Sequence, residues 1–212
     1  MSSSQKTIPG GLLIAFDGID GCGKTTQLNL VAKELSTQNY QVYKTRNLGG
    51  SPIGEELRSA LLKTVSRPPL TDLYVSAAIQ EALIEPINNE RAKGSIILLD
   101  RSPLSLVAYQ SFGSGVSEEL GWKFADSGIE KLNPDLIFVY DIDPNVAIER
   151  ARNHSGAADY FEEKPIEYFD KVSNGFNSAA ERYSAVAIDA NTTIENLYAL
   201  TIGKVNELLA LI

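Results

Sequence analysis

With 212 residues, 43% of them hydrophobic, the chain is long enough to bury one sizeable core, and it reads as one domain over 1–212 with 1–10 as a flexible tail. Its formal net charge of −8 argues against a general nucleic-acid binder, which would present a strongly basic face, so an anionic substrate would need locally placed arginines. Cys22 is the single cysteine, which excludes internal disulfides and a cysteine-rich zinc site; with no apolar run of membrane-spanning length and no leader-like start, a cytoplasmic location is expected.

In chain order, residues 12–16 form a short apolar run of buried-strand character, and Leu28, Val31, Ala32 and Leu35 follow at helical spacing. Between them, Gly18-Ile19-Asp20-Gly21-Cys22-Gly23-Lys24-Thr25 fits the phosphate-loop pattern G-x-x-x-x-G-K-[ST]. The glycines let backbone N–H groups curl around a polyphosphate and the helix N-terminus adds partial positive charge. Lys24 then reaches the terminal phosphates and the Thr25 hydroxyl can ligate Mg²⁺. Gly18 through Thr26 is therefore the expected ATP-binding segment; the bland alternative is a structural glycine turn. Cys22, just before a helix N-terminus and two residues from Lys24, has an electropositive setting that predicts a lowered thiol pKa, unless the side chain is simply small and shielded.

Further along, strands are predicted over 42–45, 95–99, 136–140 and 186–188, and helices over 53–63 and 72–91, the second capped by Thr71 or Asp72. Asp100 closes an apolar strand and can hold Mg²⁺, or serve as an ordinary turn residue. Arg101 beside it offers the planar fork that matches phosphate. Asp143-Pro144 opens a helix running to Arg150 and Arg152, and residues 153–164 lack periodicity, as suits a lid. Short apolar runs alternating with amphipathic stretches predict an α/β fold of three layers, with a five-stranded parallel sheet flanked by helices.

Several further blocks stand in a particular order. Thr45-Arg46 and Gly49-Gly50 resemble T-R-E-P-G-G, and Asp100-Arg101-Ser102-Pro103-Leu104-Ser105-Leu106-Val107-Ala108-Tyr109-Gln110 fits D-R-x-x-x-S-x-x-A-Y-Q. Pro134-Asp135-Leu136 matches P-D-L, and Asp159-Tyr160-Phe161-Glu162 is similar to the lid motif D-R-[YFI]-E. Together with the phosphate loop, they resemble the thymidylate kinase family of nucleoside-monophosphate kinases across nearly the whole chain.

The resemblance implies a P-loop NTPase fold that transfers the γ-phosphate of ATP to dTMP with Mg²⁺ held by Thr25 and Asp100, in a homodimer. It puts the acceptor phosphate near Arg46 and Arg101, its sugar near Asp20 and Tyr109, its base on Tyr74, and Ser105 and Glu162 around the acceptor. Some members carry a catalytic arginine in the loop where Gly21 stands here, which leaves Arg150 and Arg152 as the candidates beside Lys24 and Arg101. The chain departs from the family pattern at Asp17 (usually Glu), Asn47-Leu48 (Glu-Pro), Tyr160 (Arg) and Ala78, aligned with an arginine that reads the base. These departures keep open a kinase for another nucleotide or a deoxynucleoside, and a non-catalytic nucleotide-binding protein.

Overall fold

The computed structural model describes residues 5–63, 66–154 and 164–212. Strands β1 (Leu12–Asp17), β2 (Val42–Arg46), β3 (Ile96–Asp100), β4 (Leu136–Asp141) and β5 (Val186–Asp189) form one parallel sheet in the order β2-β3-β1-β4-β5. Each strand lies within one residue of its predicted bounds. β1 is buried along its whole length, as a central parallel strand covered on both faces must be.

Helices α1 (Lys24–Thr37), α2 (Pro52–Leu61), α3 (Pro69–Ala92), α5 (Glu118–Leu132), α6 (Pro144–His154), α7 (Ile166–Arg182) and α8 (Ile194–Leu209) pack around the sheet. After β3, a single turn α4 (Leu104–Leu106) passes into a π-helix, Val107–Gly113. Local chemistry sets several starts. The Ser51 hydroxyl accepts from Gly54 N at 3.1 Å ahead of α2, Thr193 does the same for α8 at 3.2 Å from Asn196 N, and the Asp143 carboxylate takes Asn145 N at 2.8 Å before Pro144.

Two expectations are corrected. α3 begins at Pro69, earlier than predicted, and no side chain caps it; Asp72 is buried and ion-paired with Arg67 instead. Residues 6–8 are not a flexible tail: Lys6 N donates to Asn39 O (2.7 Å), Ile8 N donates to Gly94 O (2.8 Å), and Ile8 is buried in the core. The lid expected over 153–164 falls almost wholly outside the described residues.

The strand order places the site. From central β1 the chain crosses to β2 and β3 on one side and later to β4 and β5 on the other, so a crevice opens at the carboxyl ends of β1 and its neighbours. Phe16 pairs with Asp100 and Arg46 also pairs with Asp100. The register therefore brings the phosphate loop, Asp100, Arg101 and Arg46 to one edge.

Candidate functional site

β1 ends on Asp17, a fully buried carboxylate. Its Oδ2 accepts from Ser102 N (2.8 Å), Ser102 Oγ (2.6 Å) and Ser105 N (3.2 Å), and its Oδ1 accepts from Ser105 Oγ (2.6 Å) and Gly18 N (3.0 Å). Burial pushes its pKa up against these hydrogen bonds, which favour the ion. Asp17 thus ties the phosphate loop to the segment after β3. Between them Arg101 adopts a φ of +67°, an unusual conformation for a side-chain-bearing residue. It is held by Arg101 N donating to Phe16 O at 2.8 Å and by Asp17 gripping the next residue.

Beyond this anchor, Asp20 is the hub. It accepts from Lys24 Nζ at 3.2 Å, from the Arg101 guanidinium, and from the Tyr109 hydroxyl at 2.9 Å. The guanidinium also lies over the Tyr109 ring, 5.1 Å from its centroid. Burial opposes ionisation of Asp20, yet Arg101 and Lys24 outweigh it and hold the carboxyl well below the usual range. Burial and Arg101 work against the charge on Lys24, but Asp20 and its neighbours raise its pKa. Burial likewise opposes the Arg101 charge, and Asp20 more than restores it. Burial and Asp20 push the Tyr109 phenol well up, so it acts as a hydrogen-bond donor.

Two cavities meet at Asp20. The larger runs along the phosphate loop from Asp20 to Gln27, Thr26 included, and is closed by Arg150, Thr192, Thr193 and Leu197. The smaller is lined by Asp20, Arg101, Ser105 and Tyr109 with Asn47, Arg58, Ser76, Gln80 and Gln110.

At the loop itself, Thr25 Oγ1 donates to Asp100 Oδ2 at 2.6 Å. These two hard oxygens, beside a polyphosphate-binding turn, fit Mg²⁺, which takes few protein ligands and fills its shell with phosphate and water. Gly21 has a φ of +84°, and a side chain there would collide with the Ala147 carbonyl of α6. The loop is thereby closed to an arginine at this position.

Some predicted residues lie elsewhere. Arg46 is half-exposed and paired with Glu55 (2.5 Å), away from the smaller cavity's lining; Arg58, donating to Leu48 O at 3.1 Å, lines that cavity instead. Tyr74 is 54% exposed and packs edge-on against Phe124, and Ala78 is exposed. The cavity is faced by Ser76 and Gln80. The resemblance puts the base on Tyr74 and aligns Ala78 with a missing base-reading arginine, but Ser76 and Gln80, each two positions later, face the cavity; two residues turn a helix by about 200°, onto its opposite face. Cys22 is fully buried and burial pushes its thiol up, contrary to the reactive reading. Glu162, the lid motif and the Arg152 side chain lie outside the described residues.

Sequence reasoning missed Gln80, Ser76, Gln110 and Arg58 in the cavity. The helical phase of α3 was the available signal. It also noted Asp17 only as a departure, although a carboxylate ending an apolar strand requires partners.

A family model for thymidylate kinase matches residues 16–200. The thymidylate kinase of Shouchella clausii (strain KSM-K16) is 32% identical over 205 residues, covering 94% of this chain and 96% of that protein. That of Fervidobacterium nodosum (strain ATCC 35602 / DSM 5306 / Rt17-B1) is 33% identical over 189 residues, covering 88% and 94%. Among solved structures, the thymidylate kinase from Ehrlichia chaffeensis superimposes with a TM-score of 0.73 at 28% identity, covering 93% of this chain and 99% of that one.

Proposed function

Since the chain belongs to the thymidylate kinase family and is a dTMP-phosphorylating enzyme, we propose that ATP lies along the phosphate loop in the larger cavity and dTMP lies in the smaller one. The carrying observation is that both cavities share the Asp20 wall. Two anionic ligands entering from opposite sides would meet there, between Lys24 and Arg101.

A phosphate monoester has a second pKa near 6 and is already largely dianionic at pH 7, so the acceptor needs no general base. The work is positioning and cationic stabilisation. Asp20 keeps Lys24 and Arg101 side by side, charged and oriented before ligands arrive, which lowers the reorganisation required at the transfer step. Lys24 takes the ATP side and Arg101 the acceptor phosphate, with Arg46 as a second, outer cation. Tyr109 and Ser105 border the acceptor sugar, and the family resemblance assigns Glu162 a role near it. Arg150, on the larger cavity's wall, is the arginine offered to the transferring group, with Arg152 as its neighbour. Mg²⁺ held by Thr25 and Asp100 would neutralise charge on the bound phosphates.

The assembly we propose is a cytoplasmic homodimer of single-domain chains with no nucleic-acid partner. Exposed Ile53, Leu70 and Tyr74 on adjacent α2 and α3 offer apolar surface for pairing, and the acidic net charge supports the absence of nucleic acid. Among the described residues, no helix is long and apolar enough to cross a membrane. The deciding experiment is a Mg²⁺-dependent ADP-release assay with ATP and a panel of nucleosides and nucleoside monophosphates. ADP release with dTMP supports the reading, and ATP binding without transfer to any acceptor refutes it.

A further inference from the structure

Buried polar side chains normally find partners, and an unpaired one costs about 1–3 kcal/mol. In the smaller cavity, three residues break that rule together: Ser76 Oγ, Gln80 Oε1 and Gln110 Oε1 are buried without a hydrogen-bond partner. The three residues are 5%, 5% and 3% exposed. They come from two elements, α3 and the π-helix, and they converge on one cavity.

Gln80 is the most constrained of them. Its Nε2 donates to the Phe124 carbonyl at 3.4 Å, which assigns the amide orientation and leaves Oε1 as an acceptor. α5 crosses it at Gly128, where a side chain would strike Gln80 Nε2. The glycine therefore makes room for this amide. Flipping the amide would turn Oε1 towards the Phe124 carbonyl, setting two acceptors against each other.

We propose that Gln80 is the residue that reads the acceptor base, accepting a hydrogen bond from the ring N3–H of a pyrimidine-2,4-dione. This rests on the assignment of the smaller cavity to the acceptor nucleotide. Thymine and uracil carry a donor at N3 flanked by two carbonyls. Cytosine carries a lone pair at N3, which would face the Gln80 oxygen and leave both acceptors buried and unpaired. The Ser76 hydroxyl can donate to a flanking ring carbonyl. Ser76 does not discriminate, because a hydroxyl serves as donor or acceptor. Discrimination between thymine and cytosine therefore falls to the fixed amide.

Two measurements test the proposal. In the first, kcat/KM is measured for dTMP and dCMP with the unmodified enzyme and with Gln80→Met, which keeps length and volume but has no acceptor oxygen. The unmodified enzyme should prefer dTMP by at least about 100-fold, well within what unpaired buried polar groups can supply. Gln80→Met should reduce that ratio at least about tenfold, mainly by losing dTMP, while its ATP affinity is unchanged. A Gln80→Met enzyme that binds ATP and retains the full preference overturns the proposal. The second needs no variant: N3-methyl-dTMP, which lacks the ring donor, should inhibit at least about 100-fold more weakly than dUMP, which keeps it. Equal inhibition also overturns the proposal. If the unmodified enzyme uses dTMP in either case, the functional assignment stands and only the role of Gln80 fails; an enzyme using no nucleotide refutes both.

Discussion

The Thr25 hydroxyl donates to the Asp100 carboxylate across 2.6 Å, joining the first turn of α1 to the end of β3. That contact spans 75 positions of sequence and puts two hard oxygen ligands side by side at the mouth of the phosphate loop. If they hold the metal, Asp100→Asn should raise the Mg²⁺ concentration for half-maximal activity by about tenfold or more, within the range seen when a metal's supporting groups are changed. A Mg²⁺ titration of ADP release checks this. An unchanged midpoint would make the contact purely structural.

Lys24→Ala should reduce turnover by about 10²–10³-fold, the usual effect of removing one preorganised donor. Arg101→Ala should raise the KM for dTMP far more than that for ATP, because Arg101 lines only the acceptor cavity. Steady-state kinetics with each substrate varied in turn separate the two outcomes.

Arg150→Ala should lower kcat by about 10³-fold with dTMP affinity preserved, as expected of a contact made mainly during transfer. Single-turnover rates alongside equilibrium dTMP binding provide the check. A normal single-turnover rate removes Arg150 from the transfer step.

Asp17→Asn should cost about 2–4 kcal/mol of stability, because an amide must turn an NH₂ towards one of two sets of hydrogen-bond donors. It should also raise the KM for dTMP, since Arg101 sits in the turn that Asp17 fixes. Urea unfolding and dTMP kinetics on the same variant test both halves.

Asp20 sets a pH dependence of defined sign. Its folded pKa lies below the ordinary 3.8, so its contribution to stability is fully present above that value and is lost as pH falls through the folded value. Unfolding free energies of the unmodified protein and Asp20→Asn should therefore differ by a constant amount from pH 7 to about 5 and converge below about 4. A gap that widens in acid would contradict the sign.

Much of the architecture is legible in the amino-acid sequence because β1, β3 and β4 are largely buried apolar runs that end on Asp. The bounds of β1 to β5 follow from hydropathy alone, and Asp143-Pro144 announces α6. The phosphate loop is equally readable, since its residues act through their own backbone and nearest neighbours. The acceptor cavity is less so. Choosing between Tyr74 with Ala78 and Ser76 with Gln80 requires the rotational phase of a 24-residue helix, and this depends on which face α5 and the π-helix cover. Cys22 shows the same limit: its neighbours in sequence suggest a reactive thiolate, but the core around it decides otherwise.

Gly21 carries an evolutionary consequence. Its Cα lies so close to the Ala147 carbonyl that no side chain fits there, so an arginine cannot enter the loop by a single substitution. The α6 backbone, which also brings Arg150 to the larger cavity's wall, would have to withdraw first. A side chain at position 21 and the present seat of α6 are therefore mutually exclusive packing solutions. Substitutions at position 21 should therefore be accompanied by repacking of α6 among descendants of this chain.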